Sequence, residues 1–305
     1  MKTRVDLITG FLGAGKTTFL LRYAAWLQGR GVRVAVIENE FGLAGCDGAV
    51  LKDVGLDVTE LSGGCICCAL KVDFAHAIVE LAGRVDRVLV EPSGIFTPAD
   101  FFAVMQSPMV REACDVGFVA AIANPHGGAL IGDAAAVWSA QLDAAGVVIV
   151  SQTDGMDENA VAAAVLRLQD CAGLRDVPVL TKPWPLWTDE DFLVVTQCGA
   201  RTETFASAAA VNHATIYNSA TFVPALLYTE ADLRRRLAAV LADAGCGVVL
   251  RIKGAVRGAN GGLLSVNVTE TGVLVLPLHG GTADCMLNVI GRGVARRRVR
   301  AVLEE

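Results

Sequence analysis

Gly10-Phe11-Leu12-Gly13-Ala14-Gly15-Lys16-Thr17 is the stretch on which the reading of this chain turns. It matches a glycine, four residues, then Gly-Lys and a hydroxyl residue, the spacing of a phosphate-binding loop. The apolar run 3–9 precedes it and a helical pattern follows, which is the strand–loop–helix context the motif needs. Glycines let successive backbone N–H groups turn inward around phosphates, and the helix N-terminus adds a partial positive charge. Gly10, Gly13, Ala14, Gly15, Lys16, Thr17 and Thr18 are therefore the expected cradle. Lys16 should reach the β- and γ-phosphates, and the Thr17 hydroxyl should serve Mg²⁺, an ion that prefers hard oxygen ligands.

Outward from this loop, short apolar runs alternate with segments long enough for crossover helices. Residues 3–9, 32–38, 86–91, 116–123 and 146–151 read as strands, and 57–61 as a further one. This alternation predicts a doubly wound, mainly parallel α/β sheet of the P-loop NTPase class. Pro183, Trp184, Pro185 and Trp187 break the pattern near Leu180 and read as a candidate linker, because prolines at that density do not fit helices or central strands. Strands near 216–223, 247–256, 262–268, 272–277 and 286–290, with helices at 231–242 and at the end, predict a smaller α+β domain. The expected division is 1–205 for the first domain and 206–305 for the second.

A chain of 305 residues that is 53% hydrophobic and 19% charged suits a buried parallel sheet and excludes disorder. The net charge of −6 argues against nonspecific nucleic-acid binding. Arginines at 234–236 and at 296, 297, 298 and 300 read as solvated helix faces rather than an anion site. Asp115, Asp143 and frequent glycines keep every apolar run short of a membrane span. Asp6 and Lys16 fall where the apolar segment of a signal peptide would run. Nine cysteines form an odd count without the small size or export signal of a disulfide framework, so reduced thiols in the cytoplasm are expected.

Three further segments carry chemistry. Strand 85–91 delivers Glu91-Pro92-Ser93-Gly94 to the same sheet edge as the phosphate loop. Glu91 is expected in the Mg²⁺ shell, and Gly94 offers a backbone N–H to the γ-phosphate. Glu38-Asn39-Glu40-Phe41-Gly42 closes the second strand in a similar place, and two carboxylates beside a triphosphate require a cation between them. Glu38 and Glu40 are both candidates to orient the attacking water. Ser151-Gln152-Thr153-Asp154 follows a buried strand where guanine-reading loops sit. Asp154 there accepts from guanine N1–H and N2–H₂, a donor pair adenine lacks, so GTP is favoured over ATP. Gln152 occupies the position where a lysine stem would cover the base.

Gly63-Gly64-Cys65-Ile66-Cys67-Cys68 places three thiols within four residues after two glycines. They converge on one point only in a turn, which the glycines supply. Thiolates suit Zn²⁺ and Cu⁺ and, with mixed ligands, Co²⁺ or Ni²⁺; three of them leave a position open, as a transfer site needs. Cys46, Cys114, Cys171, Cys198, Cys246 and Cys285 read as core fillers, and His76, His126, His213 and His279 as isolated.

Phosphate loop, ENEFG, GGCICC, EPSG and SQTD, in this order, resemble the CobW-like family of GTPase metallochaperones, relatives of the urease and hydrogenase nickel-insertion GTPases. Leu250-Arg251-Ile252-Lys253-Gly254 and Asn288-Val289-Ile290-Gly291-Arg292 resemble the family's second domain. The resemblance implies GTP hydrolysis gated by metal at Cys65, Cys67 and Cys68, with Glu38 as a further ligand and Zn²⁺ ahead of Co²⁺ and Ni²⁺. It also implies delivery to a recipient metalloenzyme or cofactor-pathway protein, with a homodimer as an open assembly. The chain departs from the family at Gln152, at Pro92 and at Leu43, and it has no His-rich tract, which favours transfer over storage. Two other readings remain: a nucleotide-gated chaperone for a corrinoid enzyme that moves no metal, and a thiol redox sensor.

Overall fold

The computed structural model describes residues 2–39, 55–61, 70–125, 133–172, 177–201, 218–269, 272–278 and 285–305. Glu40, Leu43, Cys46, Cys65, Cys67, Cys68, His126, His213 and His279 lie outside them. The chain forms two compact units, one over the described residues up to 201 and one over those from 218 onward.

The first unit is a seven-stranded parallel sheet in the order β3-β2-β4-β1-β5-β6-β7. Its strands are β1 (Thr3–Thr9), β2 (Val34–Asn39), β3 (Asp57–Glu60), β4 (Arg87–Pro92), β5 (Cys114–Ala123), β6 (Val147–Val150) and β7 (Val179–Leu180). Helix α1 (Lys16–Gln28) buries Phe19, Leu20, Tyr23, Ala24 and Leu27. That is one stripe at helical spacing. It packs on the sheet face carrying Ile8, Val36, Leu89, Phe118 and Ile122.

The opposite face carries Val5, Leu7, Ile37, Val88 and Val90. Against it lie α2 (Leu70–Leu81), α3 (Pro98–Met105) and α4 (Pro108–Ala113) through Phe74, Ile78, Phe101, Met105 and Val110. Further along that face, α5 (Asp133–Ala144) and α6 (Glu158–Ala172) cover Ala121, Ala123, Val148 and Val150. Strands covered on both faces explain the unbroken apolar runs of the sequence, and each large side chain so buried contributes about 1.5–3 kcal/mol.

The expected linker is corrected by the fold. Residues 179–197 form β7, a short 3₁₀ turn (Trp184–Leu186) and α7 (Asp189–Gln197), and Trp184, Trp187, Phe192 and Val195 pack into the α1 face of the core. The prolines suit a tight turn that the indoles then bury. Trp187 Nε1 donates to Lys182 O at 2.8 Å and Trp26 Nε1 to Asp189 Oδ1 at 3.1 Å. Helix α7 starts with a reciprocal cap in which Asp191 Oδ2 accepts from Thr188 N–H at 2.6 Å.

Within this core, β1 carries one fully buried charge. Asp6 accepts from Arg87 Nη1 at 2.6 Å and from Phe118 N–H at 3.1 Å. Burial pushes the Asp6 carboxyl above the ordinary aspartate range, against the pull of the Arg87 guanidinium. Gly117 makes room for it, since a methyl there would meet Asp6 Oδ1 at 1.8 Å.

The second unit is an antiparallel sheet in the order β11-β10-β9-β12-β8. It comprises β8 (Asn218–Phe222), β9 (Val248–Arg257), β10 (Leu263–Thr269), β11 (Gly272–Leu278) and β12 (Met286–Arg292). Helices α8 (Glu230–Ala242) and α9 (Arg296–Glu304) bury Leu233, Leu237, Val240, Val299 and Leu303 against one face, on Ile252, Leu264, Val266, Val275 and Val289.

Several of the arginines read as solvated have structural partners here. Arg234 Nη1 and Nη2 donate to Val273 O and Val275 O of edge strand β11 at 2.8 and 2.7 Å. Arg236 donates to Leu303 O at 2.9 Å. Capping an edge strand's carbonyls blocks its pairing with another chain. Arg234→Ala is accordingly expected to cost about 1–2 kcal/mol in urea unfolding and to produce concentration-dependent association in sedimentation velocity. A variant as stable and as monodisperse as the wild type would show the capping to be idle.

Candidate functional site

The carboxyl ends of β1, β2, β4 and β6 meet at one edge of the first sheet, where open α/β sheets bind ligands. The chain leaves β1 at Thr9 and turns through Gly10, whose φ of 142° and whose absent side chain are both required. A Cβ there would lie 2.4 Å from Ile122 O. The loop ends at Gly15, left-handed at φ 96°, and α1 begins at Lys16.

Lys16 is buried at 5% exposure, and its Nζ donates to Gly10 O at 3.1 Å and Phe11 O at 3.4 Å. The ammonium thus points into the loop's own ring of backbone. Thr17 Oγ1 donates to Glu91 Oε1 at 2.8 Å, joining the start of α1 to the end of β4 across 74 residues of sequence. Glu38 pairs in register with Glu91 on the neighbouring parallel strand, and both carboxylates are buried. On the far side of Glu91, Gly94 closes on the phosphate loop: a methyl there would lie 2.5 Å from Leu12 N.

This donor set fits a nucleotide with Mg²⁺. Thr17, Glu91 and Glu38 supply hard oxygens, and Ser93 Oγ and Thr9 Oγ1 at the same edge are buried with no hydrogen-bond partner among the described residues. Buried hydroxyls without partners are costly unless a ligand or water meets them.

The 151–154 segment abuts the phosphate loop. Ser151 Oγ donates to Ala14 O at 2.6 Å and Gln152 Nε2 to Gly13 O at 3.1 Å. Thr153 Oγ1 donates to Thr181 O at 3.1 Å, which ties the segment to the end of β7. Asp154 is exposed on the turn that follows.

Two residues of this edge escaped the reading of the sequence. Gln141, fully buried on α5, donates Nε2 to Gly94 O at 3.1 Å and Phe96 O at 2.9 Å, and so holds the loop after β4. Trp184 sets its ring 3.0 Å from where a Gly15 Cβ would stand. A lone glutamine in a helix carries no signal of this kind, and the prolines beside Trp184 signal only a break in secondary structure. His76 is exposed on α2, while Cys114 and Cys246 are buried as core fillers. Cys198 and Cys285 are only partly buried.

The profile of the family described as CobW/HypB/UreG, nucleotide-binding domain, matches residues 4–176, more than half of the chain. The chain belongs to the CobW/HypB/UreG family. Within that family it is 38% identical over 135 residues to a zinc chaperone CobW of Pseudomonas aeruginosa, covering 40% of this chain and 36% of that protein. To the zinc chaperone YeiR of Escherichia coli it is 34% identical over 157 residues, covering 50% and 47%. The matched region thus spans less than half the length of these curated relatives. Among solved structures, the Zn(II)-bound YjiA GTPase of Escherichia coli aligns over 99% of this chain and 98% of its own at 19% identity, with a TM-score of 0.40. HypB of Helicobacter pylori in complex with nickel aligns over 60% and 79% at 17% identity, with a TM-score of 0.40. No helix among the described residues of this CobW/HypB/UreG chain is long and apolar enough to cross a membrane.

Proposed function

We propose that this chain hydrolyses GTP and couples hydrolysis to the handling of a transition-metal ion. The ion, Zn²⁺ ahead of Co²⁺ and Ni²⁺, is the cargo. Cys65, Cys67 and Cys68 hold it, with Glu38 as a further ligand, and a recipient metalloenzyme or cofactor-pathway protein receives it in the reducing cytoplasm. Membership of the CobW/HypB/UreG family supports this reading, as do the zinc-chaperone names of its relatives. The observation that carries it is the Thr17–Glu91 hydrogen bond beside buried Glu38, at the edge where β3 ends five residues before Cys65. One sheet edge then serves both the triphosphate and the ion, so each feels the other's charge.

The loop's N–H groups and Lys16 bind the β- and γ-phosphates, and the start of α1 adds its dipole. Thr17 and Glu91 would hold Mg²⁺, which would supply positive charge to offset the charge that develops on the phosphates. Gly94 presents its N–H to the γ-phosphate. Asp154 accepts from the guanine edge. Glu38 or Glu40 orients the water.

Coupling between nucleotide and metal is reciprocal, and typical values correspond to about 5- to 150-fold in affinity. The test is a titration of Zn²⁺, Co²⁺ and Ni²⁺ into the reduced protein, read through the binding of GTP and of ATP as well as their hydrolysis, beside Cys67→Ser. A metal-dependent change of about fivefold or more in GTP affinity, lost in the variant, is expected. Equal use of GTP and ATP would remove the guanine reading. No metal bound in stoichiometric analysis would leave a nucleotide-gated chaperone, and reversible oxidation of Cys67 and Cys68 without metal would leave a redox sensor.

A further inference from the structure

We infer that Gln141 is a positioning residue for the γ-phosphate: it fixes the turn after β4 and ties the placement of that turn to helix α5, a role that rests on the proposed meeting of the Gly94 N–H with the γ-phosphate. Residues 91–98 are buried without a break, and Ile95 and Phe96 are fully so. Loops ordinarily run over the surface, where water meets their carbonyls. A buried loop must find protein donors instead.

This loop finds them in one side chain. Ser93 O accepts from Phe96 N–H at 3.0 Å and Thr97 O from Asp100 N–H at 3.1 Å, so those two carbonyls are met locally. Gly94 O and Phe96 O are met by Gln141 Nε2, at 3.1 and 2.9 Å, across 47 and 45 residues of sequence. On its other side the turn closes on the phosphate loop, where a Cβ at Gly94 would lie 2.5 Å from Leu12 N. The turn is thus clamped between the phosphate loop and α5. Leu142 and Ala144, further along the same helix, pack into the core and make α5 a firm anchor.

Gln141 keeps an unfavourable arrangement in doing so. Its Oε1 is buried with no hydrogen-bond partner among the described residues. Turning the carboxamide over would aim that oxygen at two carbonyls, so the double donation fixes its orientation. A stranded buried acceptor costs stability, and an apolar side chain of the same length would avoid it. Two donations that hold a ligand-sensing turn account for its presence. The coupling runs both ways: where α5 holds the turn in the form that meets the γ-phosphate, the γ-phosphate stabilises α5.

Calorimetry with GDP and with the non-hydrolysable imido analogue of GTP, each with Mg²⁺, on Gln141→Met and Gln141→Asn makes the test. Methionine keeps the length and removes the donors, whereas asparagine keeps the amide and falls one methylene short. Both variants are expected to bind the imido analogue about fivefold more weakly, the worth of one hydrogen bond. GDP lacks the group that Gly94 would meet, so its affinity should stay within about twofold and also report that the variants have folded. On the unmodified chain, amide hydrogen exchange of α5 is expected to slow about fivefold when the imido analogue replaces GDP. An unchanged ratio of the two affinities in the variants would overturn the inference alone, and an equal loss for both nucleotides would make Gln141 merely structural. Exchange in α5 that is indifferent to the third phosphate would overturn it too, and that measurement decides by itself if neither variant folds. An unmodified chain that bound no nucleotide would sink the hydrolase reading and this inference together. Adenine nucleotides bound as tightly as guanine ones would sink the guanine reading alone, because the comparison of tri- with diphosphate decides the role of Gln141 on either base.

Discussion

Lys16→Ala is expected to lower the rate of GTP hydrolysis by about 10²- to 10³-fold, the loss that follows removal of one well-placed donor to developing charge. The structure places this ammonium inside the ring of Gly10 and Phe11 carbonyls, at 3.1 and 3.4 Å, with only 5% of the residue exposed. Low dielectric there strengthens its interaction with a γ-phosphate well beyond that of a surface lysine. Its hydrogen bonds lie within the loop rather than in the sheet, so thermal stability should change by about 1 kcal/mol or less. Steady-state hydrolysis and a thermal melt, run side by side, check both halves. A variant that still hydrolysed GTP within about threefold of wild type would remove Lys16 from the chemistry.

The largest effect on stability is expected at Arg87. Arg87→Leu leaves the Asp6 carboxylate fully buried with its Phe118 N–H bond at 3.1 Å but without the guanidinium. Breaking one side of a buried pair costs about 3–5 kcal/mol. The sign with pH follows from Asp6, whose folded-state pKa already lies above 3.8 and rises further once Arg87 is gone. A raised carboxylate pKa means that the folded state binds the proton more tightly than the unfolded chain. The deficit of the variant relative to wild type therefore opens as pH rises through the wild type's raised folded-state pKa and widens up to the still higher one of the variant. Urea unfolding at about pH 5 and pH 7 reads this directly, and Asp6→Asn combined with Arg87→Leu should recover much of the loss. A deficit that grew toward acid pH would show the account of the pair to be wrong.

Neither residue of that pair announced its role in the sequence. Asp6 was visible only as a charge interrupting an apolar run, and Arg87 as the start of a strand. They meet because β1 lies between β4 and β5 in the sheet. The Thr17–Glu91 bond depends on the same adjacency, across 74 residues. The segment around Trp184 shows a second kind of gap. Its prolines predicted a break in secondary structure, and a break is present. What they could not express is that the indoles fold back onto α1 rather than bridging two units.

The sequence alone determined the strand–loop–helix at residues 3–28, the parallel character of the first sheet and the α+β character of the smaller second unit. It also identified the segments EPSG and SQTD that belong at strand ends. Those features are local: apolar period, glycine position and helix capping act over a few residues, so they are legible along the chain. The tertiary structure alone decided that Thr17 meets Glu91, that Gln141 holds the Gly94 loop, and that Gln152 and Ser151 grip the phosphate loop. Those pairings follow from strand order and from the direction in which each side chain leaves the backbone, and no short-range pattern of residues records either one.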